Sequence, residues 1–292
     1  MFERILVPLD GSKLAEQVLP HVAELANAFG SAVTALGVCE PEESGDTNAC
    51  EISIDSQVDD FRRHFGDDAA ARVRRVVLVG KPDQEMVRHA DQNDIGLIVM
   101  ASHGRSGLAT SSLGSTVDRL IRRVRVPVIV VKAIEPSLYS GKAFLFRRIL
   151  APLDGSERAE AVLPYVKGLV KKLKSEVLLM QAVAPGKHVH TVGGLDYVRF
   201  SEDEMASLRK RAREYLEKAA APLTGMGGLL RYETRDGDAA REILKCADET
   251  DCSLIAMSTH GHSFIERWLF GGTTYKVLQA LDRSILLVPA PM

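Results

Sequence analysis

The chain has 292 residues, enough for two ordinary domains with a core each. Apolar residues make up 46% and charged ones 26%, and a formal net charge of −2 supplies no basic field for nucleic acid. No apolar run reaches the length of a membrane span, and the N-terminus lacks a signal-peptide layout, which predicts a soluble, cytoplasmic protein with no membrane partner. The four cysteines, Cys39, Cys50, Cys246 and Cys252, show no metal-ligand or CxxC spacing and are expected to be reduced and scattered.

Ile5–Leu9 is a short apolar run and reads as a strand, with Ser12 placed to cap a helix running to about Phe29. Ala32–Cys39 is a second strand. Residues 40–56 are polar and punctuated by Pro and Gly, so a loop is expected, followed by a short helix within 56–71. Arg74–Val79 is the third strand, Gly80-Lys81-Pro82 turns into a helix to about Asn93, and Leu97–Met100 is the fourth strand. A loop containing Gly104, Gly107 and Gly114 leads into a helix from Ser115 to Val124, whose Val117, Leu120, Ile121 and Val124 share one side. Val128–Val131 is the fifth strand. Strands alternating with helices predict a parallel, doubly wound sheet.

The chain then repeats itself. Arg4–Ser12 returns as Arg148–Ser156 with a single difference, Val7 against Ala151, at an offset of 144. Gly80 returns as Gly237, an offset of 157, so the second copy has gained 13 residues before its third strand. Two long copies mean two domains. They are expected at 1–133 and 148–292, joined by a linker over 134–147 that contains Pro136, Ser137, Ser140 and Gly141. The second copy is read as strands Ile149–Leu153, Val177–Val183, Leu229–Thr234, Leu254–Met257 and Ile285–Val288, with a charged helix over 202–221. His188 and His190 fall in its added segment and are expected on a polar loop, since a pair at i, i+2 lacks a third metal ligand.

The strongest motif follows the fourth strand: Ala101-Ser-His-Gly104, nine residues, then Gly114-Ser115. Glycines let backbone N–H groups approach an anion closely, and a helix N-terminus adds donors and a favourable dipole. The pattern recurs as Ser258-Thr-His-Gly261, nine residues, then Gly271-Gly272. Strand, Gly-x2-Gly-x9-Gly-[Ser/Thr], helix resembles the nucleotide-binding signature of the universal stress protein family, and the likeness covers nearly the whole chain in two copies.

That resemblance implies two flavodoxin-like or Rossmann-like domains, each a five-stranded parallel sheet in the order 3-2-1-4-5. It also implies an internal pseudo-dimer in which Val128–Val131 and Ile285–Val288 pair antiparallel, with further association into a homodimer. The family's ligand is an adenine nucleotide, ATP or else ADP or AMP, with Mg²⁺ able to accompany it, and its role is in stress response through partner proteins. Carried over residue by residue, the first site comprises Asp10, Val38, Ala101, His103, Gly104, Arg105, Gly107, Gly114, Ser115 and Thr116. The second comprises Asp154, Ala182, Ser258, His260, Gly261, Gly271, Gly272 and Thr273.

Each residue also has a plain structural role. Asp10 lies in an Asp-Gly-Ser turn and can bond backbone amides, or contact adenosine, or both. Val38 is either a buried strand residue or the adenine neighbour. Ser115 either donates to phosphate or caps its helix, Arg105 either reaches phosphate or stays solvated, and His103 and His260 read as hydrogen-bonded loop histidines. Ala101 replaces the family's first motif glycine, which weighs on affinity. In the second copy Ser258 replaces that glycine, Gly272 replaces the hydroxyl residue and Ala182 replaces Val38, so weaker binding is expected there. No Walker-type Gly-Lys-[Ser/Thr], paired Mg²⁺ carboxylates or Gly-x-Ser-x-Gly elbow is present, which favours a non-enzymatic binding module. A slow ATP hydrolase and a scaffold with vestigial sites are the alternatives.

Overall fold

The computed structural model describes residues 1–40, 54–59, 62–63, 70, 72–104, 113–134, 145–191, 194–259, 271–280 and 283–290. Contacts divide the chain into two units, Met1–Phe146 with Leu278–Pro289 and Arg147–Val277 with Ala290–Met292.

In the first unit the described elements are β1 (Arg4–Leu9), α1 (Lys13–Glu16), α2 (Leu19–Phe29), β2 (Ala32–Cys39), a helical stretch at 54–59, β3 (Val73–Val79), α3 (Pro82–Gln92), β4 (Leu97–Ala101), α4 (Ser115–Ile121) and β5 (Val128–Val131). The sequence reads one helix after β1, but two form. Pro20 has no N–H to continue the ladder and sits in the first turn of α2, where that lack costs nothing. Ser12 caps α1 by accepting from Ala15 N–H, and Gly30 closes α2 in the left-handed conformation at φ 70°. β4 and β5 are buried along their whole length, as parallel strands covered on both faces must be.

The strands of this unit run β5-β4-β1-β2-β3, all neighbours parallel, which is the order 3-2-1-4-5 read from the other edge. Arg74 and Arg75 on the outermost strand, β3, are charges of the kind that discourage edge-to-edge pairing.

The second unit contains β6 (Arg148–Pro152), α5 (Glu157–Glu160), α6 (Leu163–Leu173), β7 (Glu176–Val183), β8 (Gly186–Thr191), β9 (Gly194–Arg199), α7 (Glu202–Ala220), β10 (Leu230–Asp236), α8 (Ala239–Glu249) and β11 (Leu254–Ser258). α9 (Gly272–Gln279) and β12 (Ser284–Val288) complete the chain. Within this unit the order is β10-β7-β6-β11. Contacts group β12, the fifth strand of the second copy, with the first unit, where it pairs antiparallel to β5 as expected: Ile285 faces Val130, Leu286 faces Ile129 and Leu287 faces Val128. The Lys132 N–H donates to Ser284 Oγ at 2.9 Å and pins that register.

Two expectations are corrected. The added segment of the second copy is a hairpin and not a polar loop: β8 and β9 pair antiparallel from Gly186 opposite Arg199 to Thr191 opposite Gly194. Val189 and Thr191 on one strand and Tyr197 and Val198 on the other are strong strand formers, and in this stretch they outweigh its glycines. Cys39 is disulfide-bonded, while Cys246 and Cys252 are free and buried. Motif spacing detects metal and redox pairs, whereas a disulfide needs only two Cβ atoms brought close in space. The reduced-cysteine argument for a cytoplasmic location therefore falls.

One packing detail separates the copies. A Cβ added at Gly37 would lie 2.0 Å from Ile54 Cδ1, so the fully buried Ile54 occupies the space over β2 that a side chain would take. Gly37→Ala is expected to destabilise the protein by about 1–3 kcal/mol through overpacking. Adding Ile54→Val removes the nearest clashing atom and is expected to recover part of that loss. Urea midpoints of the two single variants and the double variant check this; strictly additive losses would refute it.

Candidate functional site

The strand order reverses between β1 and β4, the place where open parallel sheets bind ligands beyond their carboxyl ends. Parallel pairing of Ile5 with Leu97 and Leu6 with Ile98 brings the ends of these strands side by side. Asp10 and Gly104 consequently touch: a Cβ at Gly104 would lie 2.1 Å from Asp10 Oδ2. Only glycine permits that approach.

Asp10 uses its other oxygen locally. Oδ1 accepts from Ser12 N–H at 3.0 Å and from Ser12 Oγ–H at 2.6 Å, which builds the turn into α1. Gln57, from the helical stretch 54–59, closes the loop from above. Its Oε1 accepts from Gly11 N–H at 2.8 Å, and its Nε2 donates to Ser12 O at 2.9 Å and Glu16 Oε1 at 3.3 Å. No sequence pattern marks Gln57, because these contacts span more than forty residues of chain.

After β4, the buried Ser102 and His103 share a hydrogen bond of 3.1 Å, and Ser102 Oγ accepts from Ala133 N–H at 3.0 Å. His103 is thus held inside the loop base. Gly114 is the N-cap of α4, and its N–H donates to Ser102 O at 2.8 Å. That N–H is already used, so the role of Gly114 is close approach: a Cβ there would stand 3.0 Å from Ser102 O. Ser115 and Thr116 open α4, where first-turn N–H groups have no acceptor within the helix. Val38 is half-buried near the end of β2, and Ala101 is buried at the end of β4. Arg105 and Gly107 lie outside the described residues.

A clamp that the sequence reading missed orients α4. The Asp83 carboxylate, in the first turn of α3 and only 4% exposed, takes Arg119 Nε at 3.2 Å and Arg123 Nη1 at 2.7 Å from α4. The corresponding residues of the second copy are Ala240, Lys276 and Ala280, which cannot form it.

The second copy repeats the turn: Asp154 Oδ1 accepts from Ser156 N–H at 3.0 Å and from Ser156 Oγ–H at 2.6 Å. Asp154, Ala182, Met257, Ser258, Gly271 and Thr273 all line one cleft. Gly271 N–H donates to Thr259 O at 2.8 Å, the counterpart of the Gly114–Ser102 bond, and Thr274 Oγ1 donates to Ser258 O at 3.0 Å. Gly272 starts α9 exposed, with open space where a Cβ would be. His260 and Gly261 lie outside the described residues.

Tyr215 of α7 takes the place over the loop that Gln57 has in the first copy, beside Glu160 and the Gly155 amide. Its hydroxyl is buried. Burial pushes the phenol well above its usual range, and the Glu160 and Asp154 carboxylates push the same way.

The family model described as the universal stress protein family matches residues 1–132 and again 145–289. The chain belongs to the universal stress protein family. It is a tandem member with two family domains. The universal stress protein Slr1230 of Synechocystis is 23% identical over 313 residues, covering 97% of this chain and 99% of that one. The universal stress protein MJ0577 of Methanocaldococcus jannaschii is 26% identical over 155 residues, covering 45% of this chain and 96% of its own length. Among solved structures, a universal stress protein from Archaeoglobus fulgidus aligns over 99% of both chains with a TM-score of 0.67 at 18% identity. The functionally unknown protein PA1789 from Pseudomonas aeruginosa PAO1 aligns over 99% of this chain and 93% of its own, with a TM-score of 0.71 at 16% identity. These likenesses establish the shared fold. No described helix is long and apolar enough to cross a membrane.

Proposed function

We propose that this universal stress protein is a nucleotide-dependent binding module whose first domain holds an adenine nucleotide, ATP in the first instance, and signals its state to a partner protein. The observation that carries this reading is the contact of Gly104 with Asp10 at the strand-order switch, with the opening of α4 beside it. In this reading Asp10 Oδ2 and Val38 serve the adenosine side. Gly104 and Gly114 keep the backbone low, and the N–H groups of Ser115 and Thr116 face the phosphates. Gly107, Arg105 and His103 complete the loop.

Among the described residues no three His, Cys, Asp or Glu side chains gather to hold a metal ion. Mg²⁺ arriving with the nucleotide would be carried by its phosphates and water. The chain's part is to bind and orient, with the domains taken as 1–133 and 148–292 around the 134–147 linker. The second cleft is the weaker site. Ser258 adds bulk beside it, Gly272 lacks a hydroxyl, and in place of the buried two-arginine clamp a single exposed pair, Lys276 with Asp238 at 3.5 Å, joins the corresponding helices.

Calorimetric titration of nucleotide-free protein with ATP tests this. One site per chain is expected at moderate concentration, and Gly114→Glu is expected to weaken it by about tenfold or more through steric block and like-charge repulsion. Unchanged affinity in a folded Gly114→Glu variant would remove the phosphate-loop reading. Two sites of matching affinity would remove the ranking of the domains.

A further inference from the structure

β10 is the outermost strand of the second unit, as β3 is of the first. On its inner side it pairs parallel to β7 over its whole length, from Leu230 opposite Val177 to Asp236 opposite Val183. The Leu229 carbonyl accepts from Val177 N–H at 2.7 Å, and Gly237 N–H donates to Val183 O at 2.9 Å, which sets the alternation between them. The N–H and C=O groups of Arg231, Glu233 and Arg235 therefore turn toward β7, and those of Leu230, Tyr232, Thr234 and Asp236 turn outward. Among the described residues no strand pairs with that outer edge. Leu229 and Tyr232 are two of the large apolar side chains that the fold leaves exposed, at 47% and 37%.

The repeat shows how differently the two outer strands are guarded. Arg231, Tyr232 and Glu233 of β10 correspond to Arg74, Arg75 and Val76 of β3. An antiparallel two-fold pairing of β3 centred on Arg75 would set that arginine against its own copy and give Arg74 no acid. The same pairing of β10, centred on Tyr232, sets tyrosine against tyrosine and Leu230 opposite Thr234. It also brings Arg231 of each chain opposite Glu233 of the other, on both sides of the axis.

Both charged side chains are placed for this. Arg231 is exposed and forms no ion pair among the described residues. Glu233 is partly exposed, and the hydrogen bonds it accepts, from Arg235 Nε at 2.5 Å and from the Cys246 thiol at 3.3 Å, both fall on Oε1. Its Oε2 is left for a second cation. The opposed pair lies at a position where the backbones do not bond each other, the arrangement that brings cross-strand side chains closest.

We propose that two copies of this chain associate through β10, antiparallel about a two-fold axis at Tyr232. Leu230, Tyr232 and Thr234 exchange backbone hydrogen bonds with Thr234, Tyr232 and Leu230 of the second copy, so the sheet continues from one chain into the next. The same surface serves on both sides, and the assembly closes at two chains. No residue of β10 lines the cleft at Asp154, so the association does not draw on the nucleotide reading.

Analytical sedimentation of the full-length protein is the test. A dimer is expected with a Kd of about 10 μM, weakened about tenfold or more by Arg231→Glu or by Glu233→Lys, each of which sets like charges opposite one another. An equimolar mixture of the two variants is expected to recover a mixed dimer, since acid then faces base at both positions. Hydrogen exchange on the unaltered protein needs no variant: the Leu230, Tyr232 and Thr234 amides are expected to slow as the chain is concentrated from about 1 μM to about 100 μM. A monomer at about 100 μM, assembly beyond two chains, or concentration-independent exchange of those amides would each overturn the proposal. So would folded single variants that dimerise as well as the parent, or that fail to recover on mixing.

Discussion

Replacing both Arg119 and Arg123 by alanine is expected to destabilise the protein by about 3–5 kcal/mol, because it strands the buried Asp83 carboxylate without a cation. Asp83→Ala should cost less. It removes the buried charge itself and leaves two guanidinium groups that are about half exposed, at 47% and 51%, for water to solvate again. The triple variant is expected to be more stable than the double-arginine variant, a non-additivity that separates a buried-charge clamp from ordinary surface pairs. Urea unfolding of all three variants measures it. If Asp83→Ala proved the most damaging, the clamp reading would fail. Since α4 carries Ser115 and Thr116, the double-arginine variant is also expected to lose ATP affinity before it unfolds.

Acidification should weaken the fold by about 3 kcal/mol between pH 6.5 and pH 4 through one residue, His21. Burial in α2 lowers its pKa to about 4, and its Nδ1 has no partner. Below pH 6.5 the unfolded chain takes up a proton that the folded chain refuses, so stability falls with pH until the folded group also titrates. His89, also lowered by burial and then by Arg74 and Arg88, acts in the same direction. Glu24 acts in the opposite sense: burial raises its pKa, so it weakens the fold as pH rises above its ordinary value. The difference between the parent and His21→Phe isolates the histidine. The second copy places Tyr165 at the corresponding position, so an aromatic ring is accepted there. Between pH 7 and pH 4 the parent's urea midpoint should fall relative to that of His21→Phe. Parallel curves would show that His21 does not titrate as a buried neutral group.

Much of this molecule is written along the chain. Alternating apolar runs and helical stripes, broken by Gly and Pro, determine two parallel sheets, and the return of Arg4–Ser12 as Arg148–Ser156 determines that there are two copies. Asp10 and Gly104 are legible as neighbours through the strand order that the family resemblance implies, which sets β1 beside β4. The pairing of β5 with β12 is legible too, as two apolar edge strands that need covering. Tertiary structure alone decides the rest. Gln57 and Tyr215 each reach a loop far away in sequence, Asp83 meets two arginines about forty residues on, and Cys39 finds a disulfide partner with no motif to announce it. Periodicity and turn chemistry act between residues a few places apart, so a pattern encodes them. A polar partnership between distant segments depends on how the intervening elements pack, as Ile54 over Gly37 shows, and packing is decided in space.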